Sequence, residues 1–374
     1  MIAVLIAAHN EEVSIRGTLL SVLGQKLKAD RIVVAADNCT DRTAEIAASV
    51  PGVTVFETRD NAAKKPGALN QAWHQYCSDA DLVVCIDADT VLDPMALSDW
   101  AQEFRWNQRL GGCSAKFTML VTDEMTRRER LLVRLQRAEF AKWTDLAMKR
   151  GRRTSVLAGT ACCIRNQALR EIVVDRQNTT DGPGPWTQTS LVEDFDLTYR
   201  MRANGWETKV SATVRAYTDA MTDLRSLWAQ RMKWQTGTVA DLMQFGVNRL
   251  TLFDWWQQVQ GLVSLAVRAV WLALLVGSIA LGTFSPNPVW LIPPLIFLAN
   301  DVRQSFRIPR RQSADVLVAA LLLPQEMFSF MRAAWFIAAW SQALDNKVFG
   351  IPLGDKWKAQ ARAEVNRRPL DLAA

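Results

Sequence analysis

The sequence predicts an α/β fold built on a mostly parallel sheet. Three observations predict it. Short apolar runs of strand length recur through the first hundred residues, helical spacing fills the gaps between them, and the runs end in acids and amides. At 374 residues the chain is long enough for one large domain and something more.

The elements follow in order. "IAVLIAA" reads as a first strand; it lacks the basic lead-in and the length of a secretory signal. Helical spacing follows at Val13, Leu19, Leu20 and Leu23. "RIVVAAD" is the next strand, "DRTAEIAASV" a helix and "VTVFET" a third strand. A helix from about Gly67 to Tyr76 leads to a fourth strand, "DLVVCID". Asp93-Pro94 reads as a helix cap followed by proline at the first helical position, opening "PMALSDWAQEF". Residues 126–150 spell a basic amphipathic covering helix, and "SVLAGTACCIR" is more strand. Residues 175–190 are a long loop by composition, of the kind that serves as a lid. "EDFDLTYRMRANGW" is a helix opened by acids and stopped at Asn204-Gly205.

Composition shifts after about residue 250. Residues 261–284 are long and apolar enough to span a bilayer, with one charge, Arg268. Residues 288–300 are short and carry three prolines. Residues 314–340 are apolar but include Glu326 and Arg332, which predicts an interfacial or re-entrant segment. The Arg-rich stretch between these last two, and the tail with Lys356, Lys358, Arg362, Arg367 and Arg368, favour the cytoplasmic side. The expected division is residues 1–240 as a catalytic domain and 241–374 as a helical, membrane-associated region. A soluble helical subdomain is the alternative.

The net charge of +6 is too small to imply nucleic acid, and no basic, aromatic-interleaved strand surface is evident. Six cysteines without a CxxC pair and only two histidines argue against zinc and for free thiols.

Chemistry concentrates where strands end, as ligand sites in open α/β sheets do. Those ends carry His9-Asn10-Glu11, Asp37-Asn38 and Asp87-Ala88-Asp89. Two carboxylates at i and i+2 on a turn suit a hard divalent cation, and such a cation would offset a diphosphate. Asp41 can cap the helix after the second strand. Lys64 and Lys65 precede a Pro-Gly turn and a helix start, which suits an anion. "VEDFDL" crowds Glu193, Asp194 and Asp196, so that one acid can have the raised pKa of a general base. "QRMKWQTG" joins amide, cations and an indole, groups that bond and stack on sugars. Each has a plain structural reading too: acids in a first helical turn, solvated lysines, an amphipathic helix.

In order, "AAHNEE", "ADNCTDRT", "KKPGALNQA", "DAD", "AGTACCIR", "VEDFDLTYRMRANGW" and "QRMKW" resemble the landmarks of family 2 glycosyltransferases of the GT-A fold. They run from about residue 3 to 237. The last is similar to the QxxRW motif of the membrane synthases for cellulose, chitin, hyaluronan and poly-N-acetylglucosamine. The resemblance implies an inverting transfer from a nucleotide-diphosphate sugar, with UDP-GlcNAc or UDP-Glc expected, to a glycan, lipid or protein acceptor. It implies that Asp37, with Ala8 and Glu11, holds base and ribose, that Lys65 approaches the diphosphate, and that Asp87 contacts the nucleotide sugar. Asp89 would ligate Mg²⁺ or Mn²⁺, Asp194 would be the base with Glu193 in support, and Gln230, Lys233 and Trp234 would line the acceptor or diphosphate site. It places the chain at the cytoplasmic face of a membrane.

Two positions depart from the pattern. Lys233 stands where the motif has Arg, losing a planar fork of donors, and Ala7 stands where proline is usual. With few confident spans, transfer of one or a few sugars is favoured over a long polymer. Two other readings compete. A sugar-nucleotide pyrophosphorylase would need a Gly-rich phosphate loop that "AAHNEEVSIRG" lacks. A non-catalytic membrane scaffold would have lost Asp87, Asp89 or Asp194.

Overall fold

The computed structural model describes residues 1–177 and 181–363. The apolar runs pair as strands β1 (Ile2–Ala8), β2 (Arg31–Ala36), β3 (Thr54–Glu57) and β4 (Leu82–Asp87). β5 (Thr90–Leu92), β6 (Leu110–Met119), β7 (Ala161–Arg165) and β8 (Glu207–Thr218) complete the sheet. The spatial order is β3-β2-β1-β4-β7-β6-β8-β5. β3, β2, β1 and β4 are parallel, whereas β7 runs against both β4 and β6, and β5 runs against β8. The chain leaves β1 toward β2 on one side and returns to β4 on the other. A crevice therefore opens at the carboxyl ends of β1 and β4.

Alternation along the strands builds two cores. Val4, Ile6 and Ala8 of β1 face one; Ala3 and Leu5 face the other. The first core is covered by α1 (Ile15–Leu23), α2 (Thr43–Ala48), α4 (Ala96–Trp106) and part of α5 (Arg127–Lys149). The second lies under α3 (Lys64–Ala72), α6 (Asn166–Arg176) and α7 (Glu193–Ala203). α7 ends at Asn204, with Gly205 at φ +83°, a left-handed turn that glycine adopts without strain.

Several local expectations are corrected. Asp93 does not cap α4 with its side chain: the helix starts at Ala96, and the Asp93 carboxylate lies 3.7 Å from Arg310. Leu19 is buried as expected, but Val13 and Leu20 are exposed, and α1 buries Ile15, Thr18 and Val22 beside Leu19. α3 begins at Lys64, three residues before Gly67, and ends in a wide turn over Trp73–Cys77. Within "SVLAGTACCIR" only Ala161–Arg165 is strand, because residues 155–160 form a turn at the crevice. Residues 178–180 of the predicted loop, and Arg367 and Arg368 of the tail, lie outside the described residues.

α8 (Leu224–Phe245) runs from the sheet edge across the crevice. Its N-cap is Asp223, whose carboxylate accepts the N–H groups of Arg225 and Ser226. α9 (Leu252–Ala280), 29 residues and about 43 Å long at 1.5 Å per residue, exceeds a ~30 Å hydrocarbon core. No residue of its apolar window is fully buried by the rest of the chain. α10 (Ile292–Ser305) follows a single 3-10 turn. α11 (Ser313–Ala319) and α12 (Leu322–Phe349) meet at a 73° bend. α13 (Lys356–Ala363) closes the described chain.

Ion pairs fix these helices on α5. Asp315, fully buried, takes Arg134 at 2.9 Å and Arg137 at 3.1 Å, and Lys142 reaches Asp301 at 2.5 Å. Buried pairs add little net stability but penalise any register that breaks them. The six cysteines are free thiols, five of them buried.

Candidate active site

The crevice is one continuous cavity of about 1400 Å³, and every residue expected in the site lines it. Its floor is the strand ends. Beyond β1, Asn10 takes a left-handed φ of +56°, and His9 Nδ1 sits 2.6 Å from the Asp37 carbonyl. Ala8 faces this floor, while the Glu11 carboxylate accepts the Ser14 hydroxyl at 2.7 Å and so anchors the start of α1. Asp37, buried at the end of β2, accepts from Asn38, Thr58 and Asn61 at 2.9, 2.8 and 2.7 Å. Asp41 accepts the Thr43 N–H at the head of α2, the structural role expected of it.

Lys65 is the hub of the charged end. From the first turn of α3 it forms an ion pair with Asp87 and lies 3.7 Å from Glu193. Burial pulls the Lys65 ammonium down, but Asp87, Glu193 and Asp194 more than offset that, and its pKa is raised. Asp89 leaves the strand end on the other side. It accepts from Thr90 at 3.2 Å and from Thr218 at 3.3 Å, the pair that joins β5 to β8.

Glu193 and Asp194 open α7 and point into the cavity across the Gly159 turn. The Gly159 N–H reaches Asp194 Oδ2 at 3.3 Å. Burial, then the neighbouring Glu193, push the Asp194 carboxyl up to about 6, against the opposing pull of Lys65, the Gly159 N–H and Lys233. A carboxylate held there is poised to exchange a proton near neutral pH.

α8 forms the opposite wall. Gln230, Lys233 and Trp234 all reach the cavity, as does Arg231, which helical spacing alone would turn away. Arg231 pairs with Glu139 of α5 at 2.8 Å, donates to Gln230, and lies 4.5 Å over the Trp234 ring. Lys233 lies 3.3 Å over the ring of Trp357 from α13. Asp355, beside it, pairs with Lys64. Glu139, Trp143 and Trp357 are cavity residues that the sequence did not disclose. Glu139 is an acid on the buried side of a basic helix, and that mismatch was its only signal.

Gly237, one turn on from Lys233, lets α8 approach the turn before α7. A Cβ there would lie 2.9 Å from Leu191 and from Val192. One further turn along, Asp241 accepts the Ser190 hydroxyl at 2.8 Å. α8 thus holds residues 190–192, and with them the start of α7.

The donor set at the strand ends is carboxylate oxygen, the chemistry of a hard cation such as Mg²⁺ or Mn²⁺. Among the described residues no three Asp, Glu, His or Cys side chains gather as a metal-binding group. Asp87 and Asp89 are the strand-end carboxylates that could hold such a cation.

A family model described as glycosyltransferase like family 2 matches residues 1–237. The chain belongs to glycosyltransferase family 2. Within that family it is similar to the poly-beta-1,6-N-acetyl-D-glucosamine synthase of Staphylococcus aureus strain COL, 25% identical over 239 residues, 63% of this chain and 54% of the relative. The Staphylococcus epidermidis protein of the same name is 23% identical over 265 residues, 69% of this chain and 57% of the relative. The chain spans about half the length of the curated relatives it matches. Its fold is that of a mannosyltransferase from Pyrobaculum calidifontis solved with GDP-Man and Mn²⁺: TM-score 0.58, 18% identity, covering 92% of this chain and 87% of that one. Family 2 membership places the chain among glycosyltransferases of the GT-A fold rather than among sugar-nucleotide pyrophosphorylases.

Proposed function

We propose that this family 2 enzyme is an inverting transferase that moves a sugar from a UDP-sugar, UDP-GlcNAc or UDP-Glc first, to an acceptor hydroxyl. One observation carries the reading: Asp194, its pKa raised to about 6, faces the Lys65–Asp87 pair within one cavity. The polymer named for the staphylococcal relatives supports N-acetylglucosamine as the sugar. The nucleotide sugar and Mn²⁺ in the archaeal structure's name support a diphosphate donor with a divalent cation.

On this reading Asp37, with the backbone around Ala8 and Glu11, receives the base and ribose. Lys65 meets the diphosphate, and Asp87 orients the donor sugar. Asp89 would hold Mg²⁺ or Mn²⁺, which when bound neutralises charge on the leaving diphosphate. Asp194 takes the proton of the acceptor hydroxyl, whose oxygen attacks the anomeric carbon from the face opposite the leaving group. One displacement inverts that carbon. Glu193 keeps Asp194 from ionising too readily, and Gln230, Lys233 and Trp234 bind acceptor hydroxyls and stack on a sugar face.

Residues 241–374 form the membrane-associated part, with α9 as the span and the catalytic crevice at the cytoplasmic face. The apolar, unburied window of α9 supports this. The test is nucleotide release by purified protein from a panel of UDP- and GDP-sugars with Mg²⁺ or Mn²⁺. Release from a UDP-sugar that is lost in Asp194→Asn is expected; release from none would reject the reading. The anomeric configuration of the product decides inversion.

A further inference from the structure

We propose that Arg176 and Asn70 are positioning residues of the transfer reaction, and that residues 181–190 are the brace through which they set the spacing of Lys65 and Asp194. This rests on the transferase reading above. It goes beyond it by giving a task to residues that line no part of the main cavity.

Lys65 and Asp194 stand on different helices, α3 and α7. The loop before α7 has the composition of a lid, but its contacts are those of a wedge between the two. At one end Asn70 of α3 clasps Trp186 with both halves of its amide. Its Nδ2 donates to the Trp186 carbonyl at 2.7 Å, and its Oδ1 accepts the Trp186 N–H at 3.0 Å. Gly184, at φ +119°, lets the loop pass this closely, since a Cβ there would lie 2.3 Å from Asn70 Oδ1. The Trp186 indole is buried in the second core and shares a small cavity of about 20 Å³ with Lys65, Glu193 and Asp194. The loop therefore touches the charged hub from outside the main cavity.

The other end is held by charge. Arg176, buried on the last turn of α6, forms ion pairs with Asp181 of the loop and with Asp196 of α7. Arg200 meets Asp196 as well, at 3.1 Å. Asp181 also accepts the Thr187 and Thr189 hydroxyls at 2.7 and 3.0 Å and the Gln188 N–H at 3.1 Å. Two arginines face two aspartates, so the cluster is neutral. Buried pairs of this kind add little net stability but hold to one geometry.

Helix geometry separates the two tasks. Asn70 follows Lys65 by five residues and Asp196 follows Asp194 by two, so each pair lies roughly 140–160° apart around its helix. Each helix turns one residue to the cavity and the other to the loop. A slack loop would let α3 and α7 shift, and Lys65 would move relative to Asp194.

The test uses the full chain and the nucleotide sugar that gives nucleotide release. Arg176→Lys keeps the charge but loses the fork that serves two acids. Asn70→Ala opens the Trp186 clasp without adding charge. Each should lower kcat by about tenfold, while the UDP Kd stays within about threefold of the wild type. The groups bearing on Asp194 are Glu193 beside it, Lys65 of α3, Lys233 and Asp241 of α8, and the Gly159 N–H. Of these only Lys65 belongs to α3, so a wider gap should move the acidic limb of the pH profile upward. The double variant should lose no more than the worse single one, because both act through one loop. Asp181→Asn keeps an acceptor for Thr187 and Gln188 but drops the ion pair; it replaces Arg176→Lys if that variant lacks a melting transition. Wild-type kcat in both single variants, losses that multiply in the double, an unmoved limb, or UDP binding lost in step with kcat would each overturn the proposal and leave the transferase reading standing. Absence of nucleotide release by the wild type would instead reject the transferase reading, and the brace with it.

Discussion

Lys65 and Glu193 face each other across 3.7 Å, the lysine from the first turn of α3 and the glutamate from the first turn of α7. Asp87 meets the same ammonium from the end of β4. One cation therefore ties a strand end and two helix starts to a single point, and three acids bear on it at once.

Lys65→Met should leave Asp87 and Glu193 without their ion-pair partner. The donor KM is expected to rise by about tenfold or more. Because Lys65 holds the Asp194 pKa down, its loss should also move the acidic limb of the pH profile above its wild-type position. Steady-state kinetics over pH checks both. An unmoved limb would remove the coupling.

Asp194→Asn should lower kcat by about 10²–10⁴-fold, the usual contribution of a general base, with little change in UDP affinity. In the wild type the base works only when ionised. The kcat/KM should therefore rise with pH through about 6 and level off above it. A flat profile from about pH 4.5 to 8 would exclude Asp194 as the base.

Asp89→Ala should remove the dependence of donor binding on Mg²⁺ or Mn²⁺, measured by UDP titration with and without the cation. Thr90 and Thr218 lose an acceptor, so a small drop in Tm should accompany it. Metal-dependent binding that survives would move the cation away from Asp89.

Gly237→Ala should displace Leu191 and Val192, since its Cβ has only 2.9 Å of room against each. Overpacking of this kind costs about 1–3 kcal/mol. The shifted start of α7 should lower kcat by about tenfold or more while the donor Kd holds. Equal loss of both would indicate a purely global effect.

Asp241 is held near 8, raised chiefly by burial and further by Asp196 and Asp194, against the Ser190 hydrogen bond. The folded protein keeps this proton to about pH 8, whereas the unfolded chain releases it near pH 4. Stability from this site is therefore present below pH 4 and is lost as pH rises through about 8. Asp241→Asn, which retains an acceptor for Ser190, should raise Tm at pH 8 and leave it unchanged at low pH. Differential scanning fluorimetry reads this directly.

The strand-end part of the cavity was legible in sequence because its parts are local. An apolar run fixes a strand, and the next few residues must then sit at its end, as Asp37, Asp87 and Asp89 do. On α8 the sequence marked Gln230, Lys233 and Trp234 but not the residues they meet, because those contacts join distant segments. Glu139 meets Arg332, and Lys233 meets Trp357, across spans that no periodicity connects. Asp93 shows the same limit in miniature: its neighbours spell a helix cap, but Arg310 draws the carboxylate elsewhere. Arg231 likewise reached the cavity because Glu139 and the Trp234 ring hold it there.

The ladder of ion pairs from α5 to α10, α11 and α12 also sets an order of assembly. During synthesis the sheet, α7 and most of α8 have emerged by Gly237, and domains tend to fold as they emerge. Arg332, which closes the far side of Glu139, is made almost a hundred residues later. On the proposed roles, a nascent chain would be competent to hold a nucleotide sugar before it could pass the sugar on. Transfer would begin only after the last long helix had docked.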